Sequence, residues 1–173
     1  DEVQGAKLWV GLDFGYVNDP SALVWGYWSE AAHTIYITGE YVKTGMLNDE
    51  IAARIIELGL SKEVITADCA EQKSIAEIKR AGVYRIRPSR KGPDSVVHGI
   101  QWINQQRIVI DERCTHTLEE TENYTWKKER KTGEYINEPE DAYNHCLDAV
   151  RYGLQGVAGM DKLRTINKAL LGL

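Results

Sequence analysis

The sequence predicts an α/β domain with a mixed central sheet, three of its strands antiparallel, flanked by helices. Three observations carry this. Three runs of aliphatic and aromatic residues, each of strand length, open the chain with only short links between them. Helical and strand-like segments then alternate. An apolar helix, Ala142 to Val157, comes last. Short links favour antiparallel neighbours, whereas strands separated by helices pair in parallel.

Taken in order, Lys7 to Phe14 reads as a strand in which Leu8, Val10 and Leu12 alternate, and Ala22 to Trp28 and Thr34 to Val42 read as two more. Asn48 is the expected N-cap of a helix with an apolar stripe of Ile51, Ile55 and Leu58, ended by Gly59. Val64 to Ala67 is a short buried strand that stops at Asp68. Lys73 to Ala81 is a helix, Tyr84 to Arg87 a strand, Asp94 to Gln105 a helix and Arg107 to Ile110 a strand. Thr117 to Asn123 is helical, and Trp126 to Ile136 is a hairpin with Lys131, Thr132 and Gly133 at its tip. Three antiparallel strands, then helix, strand, helix, strand and a late helix is the element order of the ribonuclease H-like fold.

Length and composition agree with a single domain over residues 1–173. A chain of this size buries roughly 70% of the surface its unfolded form exposes. With 43% hydrophobic and 27% charged residues, neither disorder nor a fibrous protein is indicated. Cys69, Cys114 and Cys146 are odd in number and have no zinc-ligand spacing, so they are expected to be reduced thiols. No secretory signal is visible, and no apolar run approaches the ~18 residues of a membrane span. The first strand starts within ten residues of the beginning without an initiator methionine, which predicts a piece of a longer protein. The net charge of −5 argues mildly against a nucleic-acid binder. A cluster of carboxylates that takes up divalent cations has the same effect on the total and becomes less negative once loaded.

Three carboxylates are candidates for chemistry. Asp13 lies inside an apolar strand, in Gly11-Leu12-Asp13-Phe14-Gly15. A buried carboxylate is costly without a partner. A cation is one such partner, and a cap on the next turn is the plainer alternative. Asp68 ends the strand Val64 to Ala67, and its plainer role is to cap the helix that follows. Asp148 lies in the last helix, where Asp141, His145 and Asp148 follow i, i+4, i+7 and share one face. Such a stripe is commonly just a solvated face, but this helix is otherwise apolar and aromatic. Together, two strand-end carboxylates and one from a late helix suit Mg²⁺ or Mn²⁺, hard cations that prefer oxygen. Two ions about 4 Å apart polarise a scissile phosphate, activate a water and stabilise the leaving oxygen. His145 is a candidate ligand, proton shuttle or phosphate positioner.

Three segments carry a family resemblance: Gly11-Leu-Asp13-Phe-Gly-Tyr-Val-Asn-Asp19-Pro20, then Thr66-Ala-Asp68-Cys-Ala-Glu-Gln-Lys-Ser74, then Asp141-Ala-Tyr-Asn-His145-Cys-Leu-Asp148-Ala-Val-Arg-Tyr152. They resemble the motifs of the nuclease domain of tailed-phage large terminase subunits of the headful-packaging type, in the same order and over nearly the whole chain. The resemblance implies an endonuclease that cuts concatemeric viral DNA during packaging, with Asp13, Asp68 and Asp148 as catalytic metal ligands, His145 beside them and Asp141 in support. It also implies double-stranded DNA as partner, with an ATPase domain, a small terminase subunit and a portal in the full protein, all in the host cytoplasm. No Gly-x-x-x-x-Gly-Lys-[Ser/Thr] motif is present, so no motor is expected in this chain.

Two basic clusters are candidate DNA contacts: Arg80, Arg85, Arg87, Arg90 and Lys91, and then Lys127, Lys128, Arg130 and Lys131 on the hairpin. Within them Arg85, Arg87, Arg90, Lys128 and Arg130 are the residues expected to touch phosphates, which position DNA without reading sequence. The rival readings are another ribonuclease H-like nuclease, such as a junction resolvase, and an actin-like or sugar-kinase-like ATP-binding domain, whose first phosphate loop also carries an Asp and a Gly after a strand. The second phosphate loop and adenosine motif of that group are missing here. A metal-stabilised docking module is the non-enzymatic alternative.

Overall fold

A computed structural model describes residues 5–15, 18–92, 94–124, 126–128, 132–139 and 144–158. Among them, strands β1 (Lys7–Asp13), β2 (Pro20–Ser29) and β3 (Thr34–Thr44) lead into helix α1 (Asn48–Glu57), β4 (Ile65–Ala67), α2 (Gln72–Arg80) and β5 (Ile86–Pro88). Then come α3 (Ser95–Asn104), β6 (Arg107–Ile110), α4 (Thr115–Asn123), the pair β7 (Trp126–Lys128) and β8 (Tyr135–Pro139), and α5 (His145–Gln155). Six strands form one sheet in the order β5-β4-β1-β2-β3-β6, and β7 and β8 form a separate antiparallel pair. As the linkers predict, β1, β2 and β3 are antiparallel, whereas β4 joins β1, β5 joins β4 and β6 joins β3 in parallel.

Strand alternation decides what faces what. Val10 and Leu12 of β1, with Ile65 and Ala67 of β4, pack into one core with Ile51 and Ile55 of α1 and Ile75 and Ile78 of α2. The intervening residues point to the opposite face. There Trp9 packs with Ala22, Val24, Ile35 and Ile37 beneath Ala149, Val150 and Leu154 of α5. Asp13 is in phase with Trp9 and Gly11, and Asp68 continues the phase of Thr66. The same periodicity that buries the aliphatic residues therefore sends both aspartates to the face that carries α5.

Helix α5 lies on β1 with almost no side chain between them. A Cβ at Gly11 would collide with the main-chain carbonyl of Ala149, and one at Gly153 would stand 2.7 Å from the Trp9 ring and 2.9 Å from the Gly11 nitrogen. Two glycines facing each other thus bring helix and strand backbones together and set the height of Asp148 over Asp13.

Helix ends are held by carboxylates from elsewhere in the chain. Glu40 of β3 accepts the main-chain N–H groups of His116 (2.8 Å) and Thr117 (2.9 Å) and the Thr117 hydroxyl (2.7 Å) at the start of α4. Glu120 of α4 in turn accepts the Leu147 N–H (3.0 Å) in the first turn of α5. Both satisfy N–H groups that a helix N-terminus leaves unpaired. At α1, Asn48 is the first helical residue, not the cap. Glu50 reaches back to the Leu47 N–H (2.8 Å), which frees the Asn48 amide to donate to Glu77 of α2 (2.6 Å). Gly59 ends α1 with φ +74°, and the Leu60 N–H returns to the Ile55 carbonyl at 3.0 Å, a left-handed helix stop.

If the close approach at Gly11 sets the seat of α5, Gly11→Ala should destabilise the domain by about 1–3 kcal/mol, the usual cost of overpacking. Urea unfolding measures this, and a wild-type midpoint and slope would show that α5 does not rest on that glycine.

Candidate metal centre

Asp13, the last residue of β1, is 8% exposed, and its Oδ2 lies 3.0 Å from Nδ1 of His145, the first residue of α5. Burial pushes the Asp13 carboxyl up to about 6; the His145 hydrogen bond opposes the rise, and the nearby charges of Asp148 and Asp68 add to it. The same hydrogen bond raises the His145 imidazole above its ordinary value, against a smaller opposing effect of burial. Asp68 is tied to the residue before Asp13 through the Leu12 carbonyl, His145 bonds Asp13, and Asp148 follows His145 by three residues on α5, so the fold brings the three carboxylates and His145 to one end of the sheet. That place is the C-terminal end of β1 and β4, under the N-terminal end of α5.

Asp68 does not cap α2, whose cap position is Glu71. Its Oδ1 instead accepts the Ala70 N–H (3.1 Å) in a local turn, and its own N–H donates to the Leu12 carbonyl (3.1 Å), which ties it to the end of β1. Lys91 Nζ stands 3.8 Å from the same oxygen. Asp148 is in the first turn of α5, where the helix dipole favours an anion. Arg151, one turn on, donates to Asp148 Oδ1 from Nη2 at 2.8 Å and from Nε at 3.3 Å. Arg151 is only 5% exposed and lies over the Tyr152 ring at 4.6 Å.

Each carboxylate therefore has a basic partner of its own: His145 for Asp13, Lys91 for Asp68 and Arg151 for Asp148. Among the described residues, no three of His, Cys, Asp and Glu are already gathered as a ligand set. The chemistry of the donors nevertheless fits a hard divalent cation. Three carboxylates converge, one of them held far above its ordinary pKa by burial, and that cost is what a cation offsets.

Sequence reasoning missed Arg151, Glu40 and Glu120. Arg151 was visible as a lone cation in an apolar helix three residues after Asp148, a spacing that places the two side by side. The two glutamates gave no signal, because their helix partners lie 77 and 27 residues away in the chain. Of the expected DNA contacts, Arg85 is at the other end of β5 from the carboxylates, donating to the Lys62 carbonyl at 2.9 Å. Arg87 and Arg90 line one cleft of about 160 Å³ with Thr66 and Gln155, beside the end of α5. Lys128 is exposed on β7. Asp141, Arg130 and Lys131 lie outside the described residues, as does the Lys127 side chain. Cys69, Cys114 and Cys146 are free thiols, as expected.

Comparison with known proteins agrees with this fold. Residues 13–156 match the Terminase RNAseH like domain family. The large terminase subunit of Bacillus phage SPP1 is 36% identical over 148 residues, which is 84% of this chain and 35% of the relative. The PBSX phage terminase large subunit of Bacillus subtilis strain 168 is 29% identical over 161 residues, 92% of this chain and 37% of the relative. The chain thus spans little more than a third of these curated relatives. The nuclease domain of the bacteriophage SPP1 large terminase, solved with bound Mn, superposes with a TM-score of 0.82 at 35% identity, covering 87% of this chain and 86% of that one. The large terminase nuclease of thermophilic phage G20c, solved with bound magnesium, shares the fold at a TM-score of 0.62 and 14% identity, covering 87% of this chain and 82% of that one. From the span of the family match and the close SPP1 relative, this chain belongs to the terminase RNase H-like domain family.

Proposed function

We propose that this chain is a divalent-metal-dependent endodeoxyribonuclease that cuts concatemeric viral DNA during genome packaging. The observation that carries the reading is the convergence of Asp13, Asp68 and Asp148 from β1, β4 and α5 at one end of the sheet. The similarity to an SPP1 nuclease domain solved with Mn supports it. We read residues 1–173 as one nuclease domain. In the longer protein its partners would be an ATPase domain, a small terminase subunit and a portal, and its place the host cytoplasm. Among the described residues no helix is long and apolar enough to cross a membrane.

In this reading Asp13, Asp68 and Asp148 hold two Mg²⁺ or Mn²⁺ ions. When bound, these supply charge neutralisation at the scissile phosphate and an activated water. The chain's own groups do the rest. His145 Nδ1 keeps the Asp13 carboxylate oriented, so any ligation by this imidazole would run through Nε2, which is also the atom from which it would pass a proton to or from the reacting oxygens. Arg87 and Arg90 on the β5 side, and Lys128 on the β7–β8 pair with Arg130 beyond it, hold the DNA backbone without reading bases.

Asp13→Asn, Asp68→Asn and Asp148→Asn should each lower plasmid cleavage by on the order of a hundredfold or more, the scale on which loss of one charge-stabilising group acts. Circular dichroism should show the fold intact. Cleavage should stop in EDTA and return with Mn²⁺ or Mg²⁺. Undiminished cutting in EDTA would sink the mechanism, and wild-type rates in one folded variant would remove that residue from the set.

DNA binding gives a separate test. Arg87→Ala with Arg90→Ala should reduce the slope of log affinity against log salt by about two, roughly one for each lost phosphate contact. Arg85→Ala, whose guanidinium is tied to Lys62, should leave that slope alone. If the double variant binds like wild type at every salt concentration, the contact lies elsewhere, first at Lys128.

A further inference from the structure

We propose that Arg151 is a positioning residue that holds Asp148 by one oxygen and so fixes it as a one-oxygen metal ligand. This rests on the nuclease reading above. The three basic partners of the carboxylates differ in how readily they can give way. Lys91 is 63% exposed at its side chain and stands 3.8 Å from Asp68, so a cation displaces it at little cost. The His145 side chain is about a quarter exposed. Arg151 has no such freedom. Its side chain is 6% exposed and lies over the Tyr152 ring.

Both hydrogen bonds from Arg151 go to Oδ1 of Asp148. The pair borders a cavity of about 210 Å³ whose other walls include Ile35, Ile37, Leu147 and Val150. At its Arg151 end the pair is shielded from water, and removing one partner strands the other. Arg151 therefore stays on Oδ1 while a cation binds, and coordination falls to Oδ2. Two-oxygen chelation by Asp148 is disfavoured, because Oδ1 already accepts two N–H groups. A carboxylate already fixed in direction loses no rotational freedom when it takes up metal, as for ligands oriented by an outer partner in known metal sites.

The test is Mn²⁺ binding to the purified chain without DNA, followed by electron paramagnetic resonance or titration calorimetry. Arg151→Met should weaken the affinity by about tenfold or more, the usual loss when an outer partner of a metal ligand is removed. Arg151→Lys should recover part of that loss. In an Asp148→Asn background Arg151→Met should add nothing, because Arg151 acts through Asp148. If Arg151→Met does not fold, Arg151→Lys decides, since lysine keeps the charge but lacks the fork of two N–H groups: a several-fold loss supports the inference and wild-type affinity overturns it. Affinity equal to or tighter than wild type in folded Arg151→Met also overturns it, the tighter result showing that the guanidinium acts by repelling the cation. A wild-type chain that binds no Mn²⁺ would instead overturn the nuclease reading.

Discussion

Three carboxylates brought to one end of the sheet repel one another, above all at the buried Asp13, and much of the architecture around the site answers that repulsion. Burial with two like charges nearby pushes Asp13 up to about 6. The chain responds with a cation or an N–H group for each member: His145 on Asp13, Lys91 and a local turn on Asp68, Arg151 and the start of a helix on Asp148. Helix α5 supplies three of these compensations at once, through His145, through Arg151 and through its positive end. Its seat on the sheet is consequently the dimension that matters most. The facing glycines at positions 11 and 153 make that seat a contact of main chain on main chain, with little side-chain play to absorb error.

The element order and the meeting of the carboxylates at one end of the sheet were legible in the sequence because both depend on periodicity. Alternation along Lys7 to Asp13 buries Val10 and Leu12 on one side, and so must put Asp13 on the other. A polar residue in phase with Trp9 and Gly11 is an anomaly that reading alone detects. Boundaries were less visible. The Asn48 cap failed because a glutamate two residues on does half the capping and the asparagine is used between helices. Arg85 looked equivalent to Arg87 and Arg90 in a string of basic residues. Which end of a strand a side chain occupies depends on the direction of pairing, and β5 runs parallel to β4, so Arg85 falls at the far end. Glu40 and Glu120 are the general case of what one chain cannot announce, since their meaning lies in helices that begin many residues later.

The two glutamates also form a sequence of supports. β3 holds the start of α4 through Glu40, and α4 holds the start of α5 through Glu120. The helix that carries Asp148 is thus braced through α4 from β3, the strand next to the edge of the sheet, while its underside rests on β1.

The hydrogen bond between Asp13 and His145 joins residues 132 positions apart, one in the first strand and one opening α5. On a ribosome, Asp13 emerges long before the histidine and the third carboxylate that stand near it in the folded domain. A half-made domain accordingly has no place where the carboxylates meet. The wide separation makes their meeting a property of the completed domain alone.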